Sequence, residues 1–323
     1  MIAVLLSVSV AVATTVVYAT IVWWFDRYER EPLWLLSLAF VWGAVPAAVI
    51  SVIAEIVFQV PISTLAGQAT ELVSASLVAP PIEELAKGLA LVGIYVLFRH
   101  EFDDVLDGVL YGTLIGFGFA MTENILYFVS AFSEHGWGAW AVTVFLRAVV
   151  FGFNHAFFTG ITGAGIGYAR ITASGAKRLV VATLGLAGAI FFHVLHNLFV
   201  SLGNAACFLS LFSDFTGVVA IFVLLLVAAR QEKKWIRQEL ASEVQSGILS
   251  VAEVAEVSSY RKRLAARLGA LSRGGWSAMR QAGRRHQQIT ELAFKKQLRR
   301  RRGDAGSDVE EIERLRAALS DRH

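Results

Sequence analysis

The chain of 323 residues is 56% hydrophobic and only 17% charged, and its mean hydropathy is +0.58. Soluble globular domains carry about a quarter charged residues, so the composition excludes an ordinary soluble domain and predicts a multi-pass membrane protein. The single cysteine, Cys207, excludes an intramolecular disulfide framework. The net charge of +3 hides an asymmetry, because residues 1–229 hold 8 Lys/Arg against 14 Asp/Glu and residues 230–323 hold 21 against 12. We therefore expect two regions, a helix bundle over 1–229 and a basic tail over 230–323.

Apolar runs of about 20 residues, enough to cross a bilayer as a helix, recur along the first region. Trp23 and Trp24 close the first run, and such aromatic pairs are typical of the membrane interface. In the fourth run, Gly112 and Gly116 have the spacing that lets another helix approach closely. The pattern predicts an all-α, polytopic transmembrane bundle of about seven spans, at about 1–25, 33–60, 78–98, 105–132, 137–169, 179–203 and 215–229.

The orientation follows from the basic residues of the predicted loops. The loops at 26–32, 99–104 and 170–178 carry two, one and three Lys/Arg residues. The alternate loops, at 61–79, 133–138 and 203–214, carry none. With seven spans, the N-terminus is therefore expected outside and the basic tail in the cytoplasm.

The tail is predicted to form soluble helices over 231–258 and 259–299, followed by a basic run and a linker at 303–307. Ser307 is a candidate N-cap for a last helix, 308–320, because acidic residues follow it. Basic helical faces beside a membrane suit contact with anionic lipid, although a solvated tail without a specific partner also fits the pattern. The tail offers no recognised nucleic-acid-binding motif, so no nucleic-acid partner is expected.

The third span opens with three ionisable groups inside an apolar run, Glu83, Glu84 and Lys87. A charge at the centre of a bilayer costs roughly 2.5–3.5 kcal/mol on insertion scales, so a merely structural helix has no reason to carry three. On a helix, Lys87 can pair with either carboxylate, because they precede it by four and three residues. This pairing leaves the second carboxylate available for chemistry.

Further polar residues lie inside the next three spans and are expected at a similar depth, in the outer half of the membrane. Glu55, in the second span, stands apart from them and is interpreted as a tolerated group. Arg147 is interpreted as a partner that neutralises a buried carboxylate. We expect the groups from four helices to converge; the added polar residues are Glu123, Asn124, Arg147, His155, His193, His196 and Asn197.

These residues can hydrolyse a peptide bond in two ways, and the sequence does not choose between them. A buried glutamate can act as the general base on a water molecule, with a histidine or Asn197 stabilising the oxyanion. Alternatively, Glu123, His155 and His193 can bind zinc and leave one position open for water. No His-Glu-x-x-His motif occurs, so a zinc site would have to be assembled across helices.

Several ordered motifs together resemble the PrsW-type intramembrane proteases, distant relatives of the CAAX prenyl endopeptidases. The resemblance implies a catalytic site of Glu83, Glu84, Glu123, His155 and His193, in a multi-pass protein of the bacterial cytoplasmic membrane. It also implies cleavage of single-span membrane proteins, such as anti-sigma factors, on their extracytoplasmic side. The motifs are the charged loop 26–33, Glu83-Glu84-x-x-Lys87, Glu101-Phe102-Asp103-Asp104, Asp107-Gly108, Gly118-Phe119, Glu123-Asn124, His155 and His193-x-x-x-Asn197.

Two non-enzymatic hypotheses fit the same residues. Buried Glu and His also serve as proton relays, so a proton-coupled transporter is the chief alternative. The absence of a recognisable inverted repeat argues against it. The other alternative is a membrane scaffold that signals through its basic tail.

Overall fold

The computed structural model describes residues 1–26, 28, 30–302 and 306–320, with only the backbone described at 204, 302 and 306–308. Every regular element in these ranges is helical, which confirms the all-α class. Short π-helical or 3-10 turns link several of the helices. The helices are α1 (Ile2–Trp23), α2 (Leu33–Trp42), α3 (Ala48–Ala66), α4 (Thr70–Val73), α5 (Ala79–Leu97), α6 (Val105–Val144), α7 (Asn154–Arg170), α8 (Gly175–Leu202), α9 (Asn204–Glu239), α10 (Ala241–Gln245), α11 (Val251–Val257), α12 (Tyr260–Arg302) and α13 (Gly306–Ser320).

Five helical stretches in the described residues are long and apolar enough to cross a membrane, which supports a multi-pass protein. Two of them, Leu33–Leu97 and Val105–Arg170, run for 65 and 66 residues, far beyond the length of one crossing. Each contains a backbone break at a glycine with positive φ, 55° at Gly67 and 75° at Gly136. Seven spans with an external N-terminus stay a prediction.

The three non-basic loops predicted between spans are largely helical, which corrects the element boundaries. Helical turns fill most of 61–79, α6 continues through 133–138, and α9 begins at Asn204 and continues to Glu239. Each of these ranges nevertheless contains the glycine at which the chain leaves helical geometry, Gly67, Gly136 and Gly203, since only glycine readily adopts positive φ. The predicted breaks between spans therefore lie in the right places, but they are shorter than predicted.

The chain divides into two compact units. The first, the membrane unit, comprises Met1–Trp24, Pro32–Arg170 and Ala176–Leu224. The second, the tail unit, comprises Leu225–His323 with the short segments Phe25–Glu31 and Ile171–Gly175. The division falls inside α9, as the predicted boundary at 229/230 also does.

Glycines bring α6 and α7 into close contact within the membrane unit. A Cβ atom on Gly108 would collide with the Gly163 carbonyl group, and one on Gly112 would lie 2.5 Å from the Thr159 carbonyl oxygen. Small residues at helix interfaces let backbones approach, because no side chain separates them. This contact places the residues of α6 directly beside those of α7, including the start of α7 at Asn154 and His155.

The tail unit folds around its own apolar core. Glu243 is buried among polar partners at the edge of this unit, with Lys296 Nζ at 2.5 Å and Arg316 Nη2 at 2.7 Å from its Oε1. Burial raises the pKa of the Glu243 carboxyl, but the hydrogen bonds from Arg316 and Lys296 outweigh burial and hold that pKa below its ordinary value. The predicted linker 303–307 and the Ser307 cap lie outside the described side chains. The core residues include Tyr28, Trp235, Ile236, Leu240, Leu249, Val257, Ile289, Leu292, Phe294, Ile312, Leu315 and Leu319.

Replacing Gly108 by Ala should destabilise the protein, because the added methyl group meets the α7 backbone and neither helix can yield cheaply. Overpacking of this kind costs about 1–3 kcal/mol. Thermal unfolding in detergent measures the change. Gly93→Ala is the matched control, since nothing lies within 4 Å of the added atom, and it should leave the midpoint unchanged or raise it. Equal midpoints for the two variants would contradict the close contact.

Candidate active site

The first turns of α5 position three ionisable side chains. Pro80 and Pro81 lie at the start of this helix, where proline is tolerated because the first amide groups lack intrahelical partners. Lys87 follows one turn later, and its Nζ donates to Glu84 Oε1 at 2.8 Å and to Glu83 Oε2 at 3.2 Å. Lys87 thus pairs with both carboxylates, whereas the sequence argument expected it to occupy one.

Glu84 is held on every side by neighbouring helices. Its Oε1 lies 3.0 Å from His193 Nδ1 on α8, and its Oε2 accepts a hydrogen bond from Thr159 Oγ1 on α7 at 3.0 Å. Phe158 stacks on the His193 ring, with centroids 4.7 Å apart. The exposed fraction of the Glu84 side chain is 0%. Glu84 therefore positions His193 and has no face turned to a substrate.

Glu123 on α6 holds the second histidine. Its Oε2 lies 2.7 Å from His155 Nε2 and 2.6 Å from Arg147 Nη2. Arg147 Nε also donates to Asn124 Oδ1 at 3.0 Å, and the guanidinium carbon lies 3.8 Å from the centre of the Tyr127 ring. Arg147 thus neutralises Glu123, as the sequence predicted, and fixes its direction toward His155.

The ring nitrogens that do not contact Glu84 or Glu123 turn toward Glu83, and Lys87 Nζ lies 3.1 Å from one of them, His155 Nδ1. His155 Nδ1 lies 4.0 Å from Glu83 Oε2, and His193 Nε2 lies 3.8 Å from the same oxygen. Since an ionised carboxylate only accepts hydrogen bonds, we assign the ring protons to His155 Nε2 and His193 Nδ1, which face Glu123 and Glu84. Two imidazole lone pairs and a carboxylate oxygen then converge on one small space.

This donor set fits a metal ion. Atoms of Glu83, His155 and His193 all lie within 4.8 Å of one another, and two imidazoles with one carboxylate are the ligands of many catalytic zinc sites. Each ring is also oriented through its other nitrogen by a carboxylate, as is usual around bound metals. Three carboxylates and two cations, Lys87 and Arg147, surround the two imidazoles.

The metal-ligand set drawn from sequence differs in one member, because it placed Glu123 where the geometry places Glu83. The reason is that the two nitrogens of the His155 ring point in different directions. Glu123 contacts His155 Nε2, while the group that could bind a metal forms around Nδ1 on the opposite side. Depth along the helices could not reveal which ring nitrogen each carboxylate meets.

Two of the predicted supporting residues point elsewhere. Asn197 Nδ2 donates to the Ala75 carbonyl oxygen at 2.8 Å, so it fixes the turn before α5 and is not aimed at the glutamates. His196 Nδ1 lies 2.6 Å from Asp214 Oδ2 and 2.8 Å from Ser210 Oγ. Both contacts fall on one ring nitrogen, whereas a Ser-His-Asp triad needs serine and acid on opposite nitrogens. His193, not His196, therefore faces the carboxylates of α5.

Sequence reasoning missed several residues that shape this region. Thr159 and Phe158 carry no charge and sit in an ordinary apolar run, so only the fold reveals their contacts with Glu84 and His193. Asp214 was placed in a loop, yet it is buried on α9. An acidic residue inside an apolar stretch was the signal that could have found it.

A cavity of about 500 Å³ opens beside the site and includes both Glu83 and Glu123 in its wall. Helices α3, α5 and α6 and the turns around α4 enclose it, and Glu55 lies in the same wall. A second cavity of about 320 Å³ reaches Glu123 and His155 from another side. The site is therefore buried in the bundle but accessible to molecules larger than water.

A buried set of glutamates and histidines on membrane helices, beside a cavity, suits a membrane-embedded hydrolase. The sequence model of the PrsW family intramembrane metalloproteases matches residues 31–229. The chain belongs to this family and is an intramembrane protease. No solved structure matches it.

Curated relatives named Protease PrsW show the same relationship. The protein of Oceanobacillus iheyensis is 30% identical over 197 residues, which cover 61% of this chain and 80% of that protein. The protein of Geobacillus kaustophilus is 30% identical over 163 residues, covering 50% and 66% respectively. That of Bacillus subtilis is 31% identical over 152 residues, covering 47% and 63%.

Metal content should depend on His193 and not on His196. We expect about one zinc ion per purified wild-type chain and none in His193→Ala, measured by elemental analysis after size-exclusion chromatography. His196→Ala, one turn further along α8, should retain the metal, because its ring faces Asp214. Glu84→Gln should weaken the affinity for zinc by about 10–100-fold, the usual effect of losing a group that orients a metal-binding histidine. Equal metal content in the two histidine variants would contradict this arrangement.

Proposed function

We propose that the chain hydrolyses peptide bonds of membrane-anchored proteins at a water molecule bound beside Glu83, His155 and His193. The observation that carries the proposal is the convergence of these three donors next to the cavity that Glu83 and Glu123 line. Residues 1–229 would form the protease and residues 230–323 an appended domain, which agrees with the end of the family match at 229.

Glu83 is the proposed water-activating carboxylate. Of the two adjacent glutamates, it is the one in the cavity wall, whereas Glu84 is enclosed by Lys87, His193 and Thr159. Without a metal, this carboxylate can take the proton of an attacking water and pass it to the leaving amine. Glu84 and Glu123 hold the two imidazoles in place, so they position the site without touching the water.

Glu83, His155 and His193 would hold a divalent metal, for which zinc is our proposal. When bound, it would polarise the water and the carbonyl group of the scissile bond. The two histidines keep their lone pairs directed at that position because Glu123 and Glu84 hold the opposite ring nitrogens. The matching family is described as metalloproteases, which supports this choice.

The position of Lys87 supports a second mechanism, which needs no metal. Lys87 Nζ lies 3.1 Å from His155 Nδ1 and 3.2 Å from Glu83 Oε2, two of the atoms that a metal would use. Its ammonium group can thus supply positive charge among the same donors. In that case Glu83 acts directly as the general base, and Lys87 stabilises the developing oxyanion.

The substrates would be single-span membrane proteins, with anti-sigma factors as the candidate class from the family resemblance. The cavity supports this proposal because it is enclosed by apolar membrane helices and leads to the carboxylates. An extended peptide is needed at the site, since a helical substrate hides its carbonyl groups in intrahelical hydrogen bonds. The proposed location is the bacterial cytoplasmic membrane, with cleavage near its extracytoplasmic side.

Glu83→Gln should abolish cleavage, because glutamine keeps the shape of the side chain but can neither accept the proton nor bind a metal as a carboxylate. The fold should be retained, because Lys87 keeps its ion pair with Glu84. The expected loss is on the order of 10²-fold or more. Purified enzyme and a panel of tagged single-span membrane proteins, resolved on gels, measure it. Glu134→Gln is the control, since its side chain is 62% exposed and remote from the site. A Glu83→Gln enzyme that cuts as fast as wild type would refute the assigned role.

Chelation separates the two mechanisms. If the three donors hold a metal, a strong chelator should remove activity, and added zinc should restore it in wild type but not in His193→Ala. If Lys87 supplies the charge, the chelator should have no effect and Lys87→Met should remove activity. Full activity in both chelated wild type and Lys87→Met would contradict both mechanisms.

A further inference from the structure

The tail unit contains a long helical hairpin with an unusual charge distribution. Between Glu256 and Glu291 the sequence holds eight Lys/Arg residues and no Asp or Glu. Helix α12 covers most of this segment and leaves helical geometry at Gly274 and Gly275, the latter with φ of 68°. The chain reverses there, since Arg263 before the break donates to the carbonyl oxygen of His286 after it, at 3.2 Å. We call Tyr260–Arg302, with its turn at Gly274–Gly275, the basic hairpin.

One face of the basic hairpin is bound to the core of the tail unit. Arg263 donates to the Tyr28 carbonyl oxygen at 2.7 Å and to the Thr290 hydroxyl group. Ile289 and Leu292 on the second arm are buried in the same core. The hairpin is therefore anchored through this face, while several other side chains are exposed.

The outer surface combines apolar and basic side chains. Leu264 and Leu268, one turn apart on the first arm, are 45% and 52% exposed, and Trp276 at the turn is 66% exposed. Both arms also carry exposed basic residues: Arg261, Lys262, Arg273, Arg280 and Arg284. At four-residue spacing, Trp276, Arg280 and Arg284 lie on one face of the second arm.

We propose that the basic hairpin docks onto the surface of an anionic lipid bilayer, with Trp276, Leu264 and Leu268 entering the headgroup region. Helices that lie in the membrane interface combine these features, Trp and Leu on one side and Lys/Arg beside them. Tryptophan prefers the level of the headgroups. The basic residues are complementary to anionic phosphates, and no acidic residue of the segment opposes them.

The covalent chain supports a membrane as the partner. Phe25–Glu31 and Ile171–Gly175 belong to the tail unit, and each directly joins two apolar helices of the membrane unit. The tail unit is thus tied to the ends of membrane helices at several points, which gives it a high effective concentration at the bilayer surface. A nucleic acid would satisfy the arginines but would leave the exposed Trp and Leu side chains without a partner.

The test uses the full chain in nanodiscs, with Cys207→Ser to remove the native thiol. An environment-sensitive fluorophore is attached at Ser277→Cys, beside Trp276, or at Ala317→Cys, an exposed control position on α13. Lipids with a nitroxide at the headgroup report proximity by quenching. We expect at least twofold stronger quenching of the label at position 277 in phosphatidylglycerol nanodiscs than in phosphatidylcholine nanodiscs, falling in high salt because screening weakens surface attraction. The label at 317 should show no such difference.

Two variants assign the effect to the hairpin. Replacing Arg273, Arg280 and Arg284 together by Gln should abolish the lipid dependence, and Trp276→Ala should reduce the quenching in anionic nanodiscs. Circular dichroism confirms that each variant remains folded. A label at 277 that stays aqueous in anionic nanodiscs, or an arginine variant quenched like wild type, would overturn the proposal. Displacement of the hairpin from the lipid by added RNA at lower concentration than by anionic vesicles would assign the surface to nucleic acid instead. None of these readouts depends on proteolysis.

Discussion

The structure depends on the mutual neutralisation of charges buried between membrane helices. Three carboxylates, Glu83, Glu84 and Glu123, share the bundle interior with Lys87 and Arg147, and each contact is a charge-assisted hydrogen bond. Removing one partner of such a set leaves another charge unpaired in an apolar medium, which is strongly destabilising. The network therefore fixes four helices relative to one another, and the same constraint holds the reactive groups in place.

The three buried glutamates have different places in the site. Glu84 and Glu123 each hold one imidazole, and Glu83 lies in the cavity wall where those imidazoles converge. The packed glycines of α6 and α7 make this division geometrically feasible, because they bring the backbone of His155 within reach of α6. A substitution that pushes α6 and α7 apart would thus displace His155, although none of the site residues is itself changed.

The tail unit is stabilised differently from the membrane unit. It has an apolar core of its own and a buried glutamate compensated by Lys296 and Arg316, as a water-soluble domain would. Between Glu256 and Glu291 it carries eight Lys/Arg residues and no Asp or Glu, and its short segments Phe25–Glu31 and Ile171–Gly175 are covalently joined to apolar helices. The membrane unit thus carries buried charged groups, and the tail unit exposes a basic surface with apolar side chains.

The sequence by itself determined the all-α membrane class, the family and several of the charged residues that meet, because isolated charges in apolar runs are costly and therefore informative. Only the tertiary structure decided which nitrogen of His155 faces Glu83, that His193 and not His196 joins the group, and that Asn197 binds the Ala75 backbone. Helical spacing gives depth and an approximate face, but the choice of ring nitrogen depends on distances of a few ångströms between different helices. The predicted loops contain the backbone breaks at Gly67, Gly136 and Gly203, but they are shorter than expected, since small polar residues lower hydropathy without breaking a helix.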